Sequence, residues 1–181
     1  MHSTGCWLGY EMVATSRRLF FAFWPDQSIR DGIVERRELL GNPGRRRVPD
    51  HNLHMTLLFL GNQPADSMES IQAAADRLRP PSMSLCLDRF GWFRSAKVLW
   101  LGGEAPEQAA PWVEELGEDL RDLGLRFAAR PFVPHVTLYR KIHQRPSLPE
   151  PPPLLWSPPE IALIESIPSR PYQVLRTWPV E

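Results

Sequence analysis

Apolar residues along this chain fall into short runs and helical stripes that follow one another in the same order twice. Leu19-Phe20-Phe21-Ala22-Phe23-Trp24 is an aromatic-rich apolar run ended by Pro25-Asp26, which predicts a buried strand and a turn. Ile29, Ile33 and Leu40 then recur at near-helical spacing, and Gly41 with Pro43 supplies the stop. A strand carrying His54 and running to Gly61 comes next. Asp66 and Glu69 form a capping-box signature ahead of Met68, Ile71, Ala75 and Leu78, a second helix that Pro80-Pro81 ends.

Over 83–93, and again over 98–101, the pattern returns to strand, with Arg94-Ser95-Ala96-Lys97 as the hairpin loop. Pro111 and Gly124 bracket a third helix whose stripe is Trp112, Val113, Leu116, Leu120 and Leu123. A strand with a second histidine is expected over 132–139, and two late strands over 161–167 and 172–178. Residues 146–159 hold seven prolines, which excludes a helix or a central strand and predicts an extended surface connection. A proline-motif ligand for a partner domain is the lesser alternative there.

Strand, helix and histidine strand thus occur in that order in both halves. The spacing is 35 residues from Leu19 to His54 and 37 from Val98 to His135, so the halves read as related lobes. If the lobes pack about a pseudo-twofold axis, their histidine faces oppose each other across a cleft.

The 181 residues, 43% of them apolar and 23% charged, suit a soluble globular protein with one substantial core or two small lobes. Lys plus Arg and Asp plus Glu are both 21, so no global field would draw in a polyanion and any nucleic-acid contact must be local. Arg45-Arg46-Arg47 is the densest cluster, read as a solvated loop rather than a phosphate contact. Cys6 and Cys86 have neither zinc-site nor disulfide spacing, which fits a reducing cytoplasm. No run of about 18 apolar residues exists, and the first sixteen residues lack a basic and then apolar signal pattern. Residues 1–16 are expected to be a poorly ordered leader before a single domain over 17–181, with Met12 as an alternative start.

The phrase His54-Met55-Thr56-Leu57 returns as His135-Val136-Thr137-Leu138. On a strand, residues i and i+2 share a face, so each copy offers an imidazole and a hydroxyl to one side. Imidazole can donate or accept a proton near neutrality, so a facing pair can act as acid and base in one turnover. This suits phosphodiester cleavage, each histidine contributing on the order of 10²–10⁴ in rate. The threonine hydroxyls would hydrogen-bond non-bridging phosphate oxygens. The arrangement calls for no metal or other cofactor, and no HExxH motif or Asp-rich cluster suggests one. Core histidines satisfied by hydrogen bonds, and threonines kept for strand propensity, account for the same residues without catalysis.

At these residues the sequence resembles the two-histidine (2H) phosphoesterases, specifically the bacterial and archaeal RNA 2′,3′-cyclic phosphodiesterases once described as 2′-5′ RNA ligases. Arg18-Leu19-Phe20-Phe21-Ala22, the stretches 52–61, 98–102 and 130–138, and the ending Tyr172-Gln173-Val174-Leu175 with Trp178-Pro179 match family segments in the same order. The resemblance implies an α+β fold, bilobal and pseudo-symmetric, with antiparallel sheets lining a central cleft and helices outside. It implies metal-independent opening of RNA terminal 2′,3′-cyclic phosphates to 2′-phosphates, with reversible 2′-5′ joining in some relatives. By the family pattern His54 is the general acid toward the departing O3′, His135 the general base toward water, and Thr56 and Thr137 complete the half-sites.

Arg140 stands where relatives carry an arginine near the phosphate or the base. Its parity opposes that of His135 and Thr137, so it reaches the cleft only past the strand end or beyond a bulge. Phe21, Phe23 and Tyr139 are candidates to stack on a nucleobase; core packing is the better reading for the phenylalanines, and Tyr139 shares parity with the catalytic pair. Trp24 departs from the family, which commonly has a polar or acidic residue there. The expected partner is RNA ending in a cyclic phosphate, bound by a monomer with no membrane. Rival readings are an enzyme for small cyclic nucleotides, a non-catalytic RNA-end binding module, and a proline-rich scaffold.

Overall fold

The computed structural model describes residues 16–43 and 46–181. The element order is β1 (Ser16–Phe23), α1 (Gln27–Glu38), β2 (Arg46–Arg47), β3 (Met55–Pro64), α2 (Met68–Arg77), β4 (Leu85–Leu87), β5 (Arg89–Phe93), β6 (Val98–Gly102), α3 (Ala109–Asp122), β7 (His135–Arg140), β8 (Leu154–Trp156), β9 (Glu160–Glu165) and β10 (Gln173–Pro179). The expectations for the leader, Cys6 and Met12 lie outside the described residues, apart from Ser16, which opens β1 rather than ending a leader.

One eight-stranded antiparallel sheet runs β10-β9-β1-β3-β7-β6-β5, with β2 pairing on β7. The repeat seen in the sequence is physical: β1 pairs β3 in the first half and β6 pairs β7 in the second. The halves meet where Met55 of β3 faces Val136 of β7. Beyond that pair the partner of β7 is β2, with Arg46 opposite Arg140, and the Val48 N–H then donates to the Leu138 carbonyl at 2.9 Å.

Alternation along β1 sorts the two faces of the sheet. Leu19, Phe21 and Phe23 are fully buried on the side covered by all three helices, where Ile33, Ile71 and Leu116 meet them in a core common to both halves. Each such side chain contributes roughly 1.5–3 kcal/mol by leaving water. Phe20 and Ala22 point the other way, into a smaller cluster with Ala162 and Ile164 that Trp24 and Tyr172 flank. The helices on one face and the open other face are the layered α+β arrangement expected from the resemblance.

Helix α1 starts where Pro25-Asp26 predicts, with the Asp26 carboxylate accepting from the Ile29 N–H at 2.8 Å. The second helix corrects the reading: Asp66 makes no cap, because residues 65–67 form a 3-10 turn in which the Ser67 hydroxyl donates to the Pro64 carbonyl. The 83–93 strand is also corrected. It breaks at Asp88, whose N–H bonds to Gly102, so that β4 leaves the main sheet and pairs with β8. The proline-rich stretch is extended, and it also contains β8, with Trp156 only 3% exposed. Arg36 holds it by donating to the Pro152 and Pro153 carbonyls at 2.7 and 2.8 Å.

Candidate active site

Both histidines enter their strands in the same way. His54 lies one residue before β3 and His135 opens β7, and each ring is tied to the carbonyl two residues back: Nδ1 to Asn52 at 2.7 Å and Nδ1 to Val133 at 2.7 Å. A carbonyl can only accept, so Nδ1 carries the hydrogen in both neutral rings and Nε2 is left for chemistry. The Thr56 hydroxyl lies 3.1 Å from His54 Nε2 and donates to it in that tautomer.

Aromatic rings hold each imidazole. Phe20, Tyr172 and Trp24 surround His54 at centroid distances of 4.9, 5.2 and 5.9 Å, Trp24 lying nearly parallel to it. The Asn52 side-chain oxygen accepts from the Tyr172 N–H at 3.3 Å, so one residue positions both the imidazole and the ring beside it. Phe93 and Trp100 flank His135 at 5.1 and 6.3 Å. Gly91 makes room for that Trp100 ring, since a Cβ there would fall 2.0 Å from it.

Burial pushes the His54 pKa from 6.5 down to about 4, against its backbone hydrogen bond and with help from the positive charges of Arg140 and His135. Burial also lowers His135, again with Arg140 adding to the effect. Both rings are therefore neutral near pH 7 in the free protein, and Arg140 is close enough to act on both.

A cavity of about 760 Å³ opens between the two half-sites, and His54, Thr56, Phe59, His135, Thr137 and Arg140 all line it. The position of Arg140 is explained by a bulge. On β6, Leu99 pairs with Tyr139 and the next residue, Trp100, pairs with Thr137, so Leu138 is the extra residue on β7. That extra residue reverses the alternation, turning Arg140 back into the cleft. The same shift corrects Tyr139, which is 3% exposed in the core, with its hydroxyl 3.4 Å from the Gly41 carbonyl. It does not face the cleft. Phe21 and Phe23 are fully buried core residues.

The first half-site has the equivalent bulge. Phe21 pairs with Leu58 and Ala22 with Thr56, leaving Leu57 extra and turning Phe59 outward. Phe59 is 43% exposed and carries the Arg18 guanidinium over its ring at 4.8 Å. Sequence reasoning missed Phe59. The available signal was the repeat itself, since Phe59 follows His54 by five residues as Arg140 follows His135 by five.

The arginine run is not the basic centre. Arg47 is tied to Glu38 at 3.4 Å and Asp50 at 3.2 Å, and Arg45 lies outside the described residues.

A family model described as the 2′-5′ RNA ligase superfamily matches residues 24–165. The RNA 2′,3′-cyclic phosphodiesterase of Escherichia coli is 35% identical over 146 residues, covering 78% of this chain and 81% of that protein. The protein of the same name from Archaeoglobus fulgidus is 29% identical over 72% of this chain and 76% of its own. Among solved structures, E. coli LigT complexed with 3′-AMP superposes with a TM-score of 0.84 at 30% identity, covering 92% of this chain and 99% of that one.

Proposed function

Because this chain belongs to the 2′-5′ RNA ligase superfamily, we propose that it hydrolyses the terminal 2′,3′-cyclic phosphate of RNA to a 2′-phosphate, using its own paired histidines. The observation that carries this reading is the pair of imidazoles, each fixed through Nδ1 and each leaving Nε2 to one cavity that also contains an arginine and two threonines. That is the equipment for in-line displacement at phosphorus.

His135 Nε2 takes a proton from the attacking water as its oxygen bonds to phosphorus. The P–O3′ bond breaks, and protonated His54 delivers its proton to the departing O3′. The Arg140 guanidinium and the Thr56 and Thr137 hydroxyls bind the non-bridging oxygens, where negative charge accumulates. Bound phosphate also changes the acid–base balance. Its charge offsets that of Arg140 and favours the imidazolium that His54 disfavours in the free protein. Phe59 offers its exposed face to the terminal nucleobase.

With the 5′-hydroxyl of a second RNA in place of water, the same displacement joins 2′-5′ ends. We take the protein to act in the cytoplasm and as a monomer, since one chain supplies both half-sites. Among the described residues no helix is long and apolar enough to cross a membrane.

The test is to incubate EDTA-treated protein with an oligoribonucleotide ending in a 2′,3′-cyclic phosphate and to identify the product terminus by mass spectrometry and phosphatase mapping. The expected product is a 2′-phosphate, absent with His54→Ala or His135→Ala. A 3′-phosphate product, binding without turnover, or near-full activity in either variant would overturn the reading.

A further inference from the structure

Positive charge in the cleft exceeds what one phosphate needs. Arg18, Arg126, Arg130 and Arg140 line the cavity, and no Asp or Glu does. Among the described residues none of these four forms an ion pair, whereas Arg17, Arg37, Arg47, Arg77, Arg79 and Arg176 all do. What sets these four apart is that they share one cavity whose lining holds no carboxylate, so their charges add there in a chain of zero net charge.

Arg126 and Arg130 stand on the segment between α3 and β7, and that segment is anchored. Leu125 is buried and its N–H donates to the Leu120 carbonyl at 3.1 Å. Gln63, 2% exposed, donates through Nε2 to the Leu60 carbonyl at 2.6 Å and to the Arg126 carbonyl at 3.0 Å. The Arg121 guanidinium lies over the Phe127 ring at 5.6 Å. A buried amide committed to a loop carbonyl fixes the backbone that carries Arg126, while the side chains of Arg126 and Arg130 stay exposed. Phe127 and Phe132 line the cavity beside the two arginines. Alternating guanidinium and aromatic faces are the chemistry that grips single-stranded nucleic acid.

We infer that Arg126 and Arg130 bind the phosphodiesters on the 5′ side of the terminal cyclic phosphate, so that the protein selects the end of an RNA strand over a mononucleoside cyclic phosphate. The inference rests on the phosphodiesterase reading above and extends it: Arg140 and Phe59 serve the terminal nucleotide, and the anchored loop serves the strand behind it.

The test compares the wild-type protein with Arg126→Gln/Arg130→Gln on two substrates, a mononucleoside 2′,3′-cyclic phosphate and a tetranucleotide with the same end. The double variant is expected to lose about tenfold more kcat/KM on the tetranucleotide than on the mononucleoside. Equal losses on the two substrates would overturn the track. A second arm needs no turnover. Fluorescence anisotropy with a 2′-phosphate-terminated tetranucleotide should show roughly tenfold weaker binding by the variant. The slope of log affinity on log salt should flatten by about 1.4, near 0.7 for each phosphate that an arginine no longer neutralises. Unchanged affinity and slope would overturn the track. Absence of turnover by the wild-type protein on both substrates would instead sink the phosphodiesterase reading, with the binding arm still deciding the track.

Discussion

Met55 lies directly opposite Val136, and this registered pair joins the two halves of the main sheet. The strands are antiparallel, so one step to either side sets His54 toward Thr137 and His135 toward Thr56. The two His-x-Thr phrases therefore flank one junction, and both line the same cavity. Both Met55 and Val136 are fully buried, so the geometry of the half-sites is tied to the core.

The pH dependence should reveal two histidines that titrate low in the free protein. The kcat/KM bell reports the free enzyme, and with His54 near about 4 and His135 also lowered, its maximum is expected on the acid side of pH 6.5. The kcat profile reports the complex and should lie at higher pH, because bound phosphate favours the imidazolium. Arg140→Ala should cost on the order of 10²-fold in rate and move the kcat/KM limbs upward, since Arg140 lowers both rings. Superimposable kcat and kcat/KM profiles, or unmoved limbs in the variant, would contradict this account.

Acid should destabilise the fold through His54. Unfolded, this group takes a proton near pH 6.5; folded, it resists until about 4. Between those values the unfolded chain binds more protons, so the stability present above pH 6.5 falls as pH drops and levels below about 4. At about 1.4 kcal/mol per pH unit the His54 contribution amounts to at most ~3.5 kcal/mol. Urea denaturation at several pH values should show a shallower acid loss in His54→Asn than in the wild type. Equal slopes would refute the assignment.

Phe59→Ala should raise KM about tenfold or more with a smaller change in kcat, because stacking on a base contributes ~1–3 kcal/mol. Phe59→Trp should retain near-normal KM. Steady-state kinetics on a short cyclic-phosphate RNA decides this; an unchanged KM in Phe59→Ala would show that the exposed ring does not receive the base.

Tyr139 provides the opposite control. Tyr139→Phe is expected to keep activity within about twofold, since the hydroxyl makes one long hydrogen bond at 3.4 Å, whereas Tyr139→Ala should destabilise by about 3–5 kcal/mol as a core truncation. Loss of activity in Tyr139→Phe at unchanged stability would return the tyrosine to the cleft.

The order of elements was readable because periodicity is local. Leu19, Phe21 and Phe23 alternate as a strand with a covered face must, and Trp112, Val113, Leu116 and Leu120 recur as a buried helix face must. The repeated His-x-Thr phrase likewise marked the two half-sites. Where local signals competed, the reading failed: Asp66 and Glu69 satisfied a capping pattern, yet the Ser67 hydroxyl went to the Pro64 carbonyl and the helix began later.

Local pattern along the chain was therefore sufficient for the order of the main strands and helices and for singling out the two His-x-Thr phrases that the fold brings to one cavity. Long-range pairing was needed to turn Arg140 and Phe59 into the cleft and Tyr139 into the core, because a bulge is set against a distant strand and reverses every side chain beyond it. Folding also settled where charge collects. Arg18, Arg126, Arg130 and Arg140 are scattered along the chain, and only the closing of the sheet and the anchoring of the 125–131 segment bring them to one cavity, where no carboxylate cancels them.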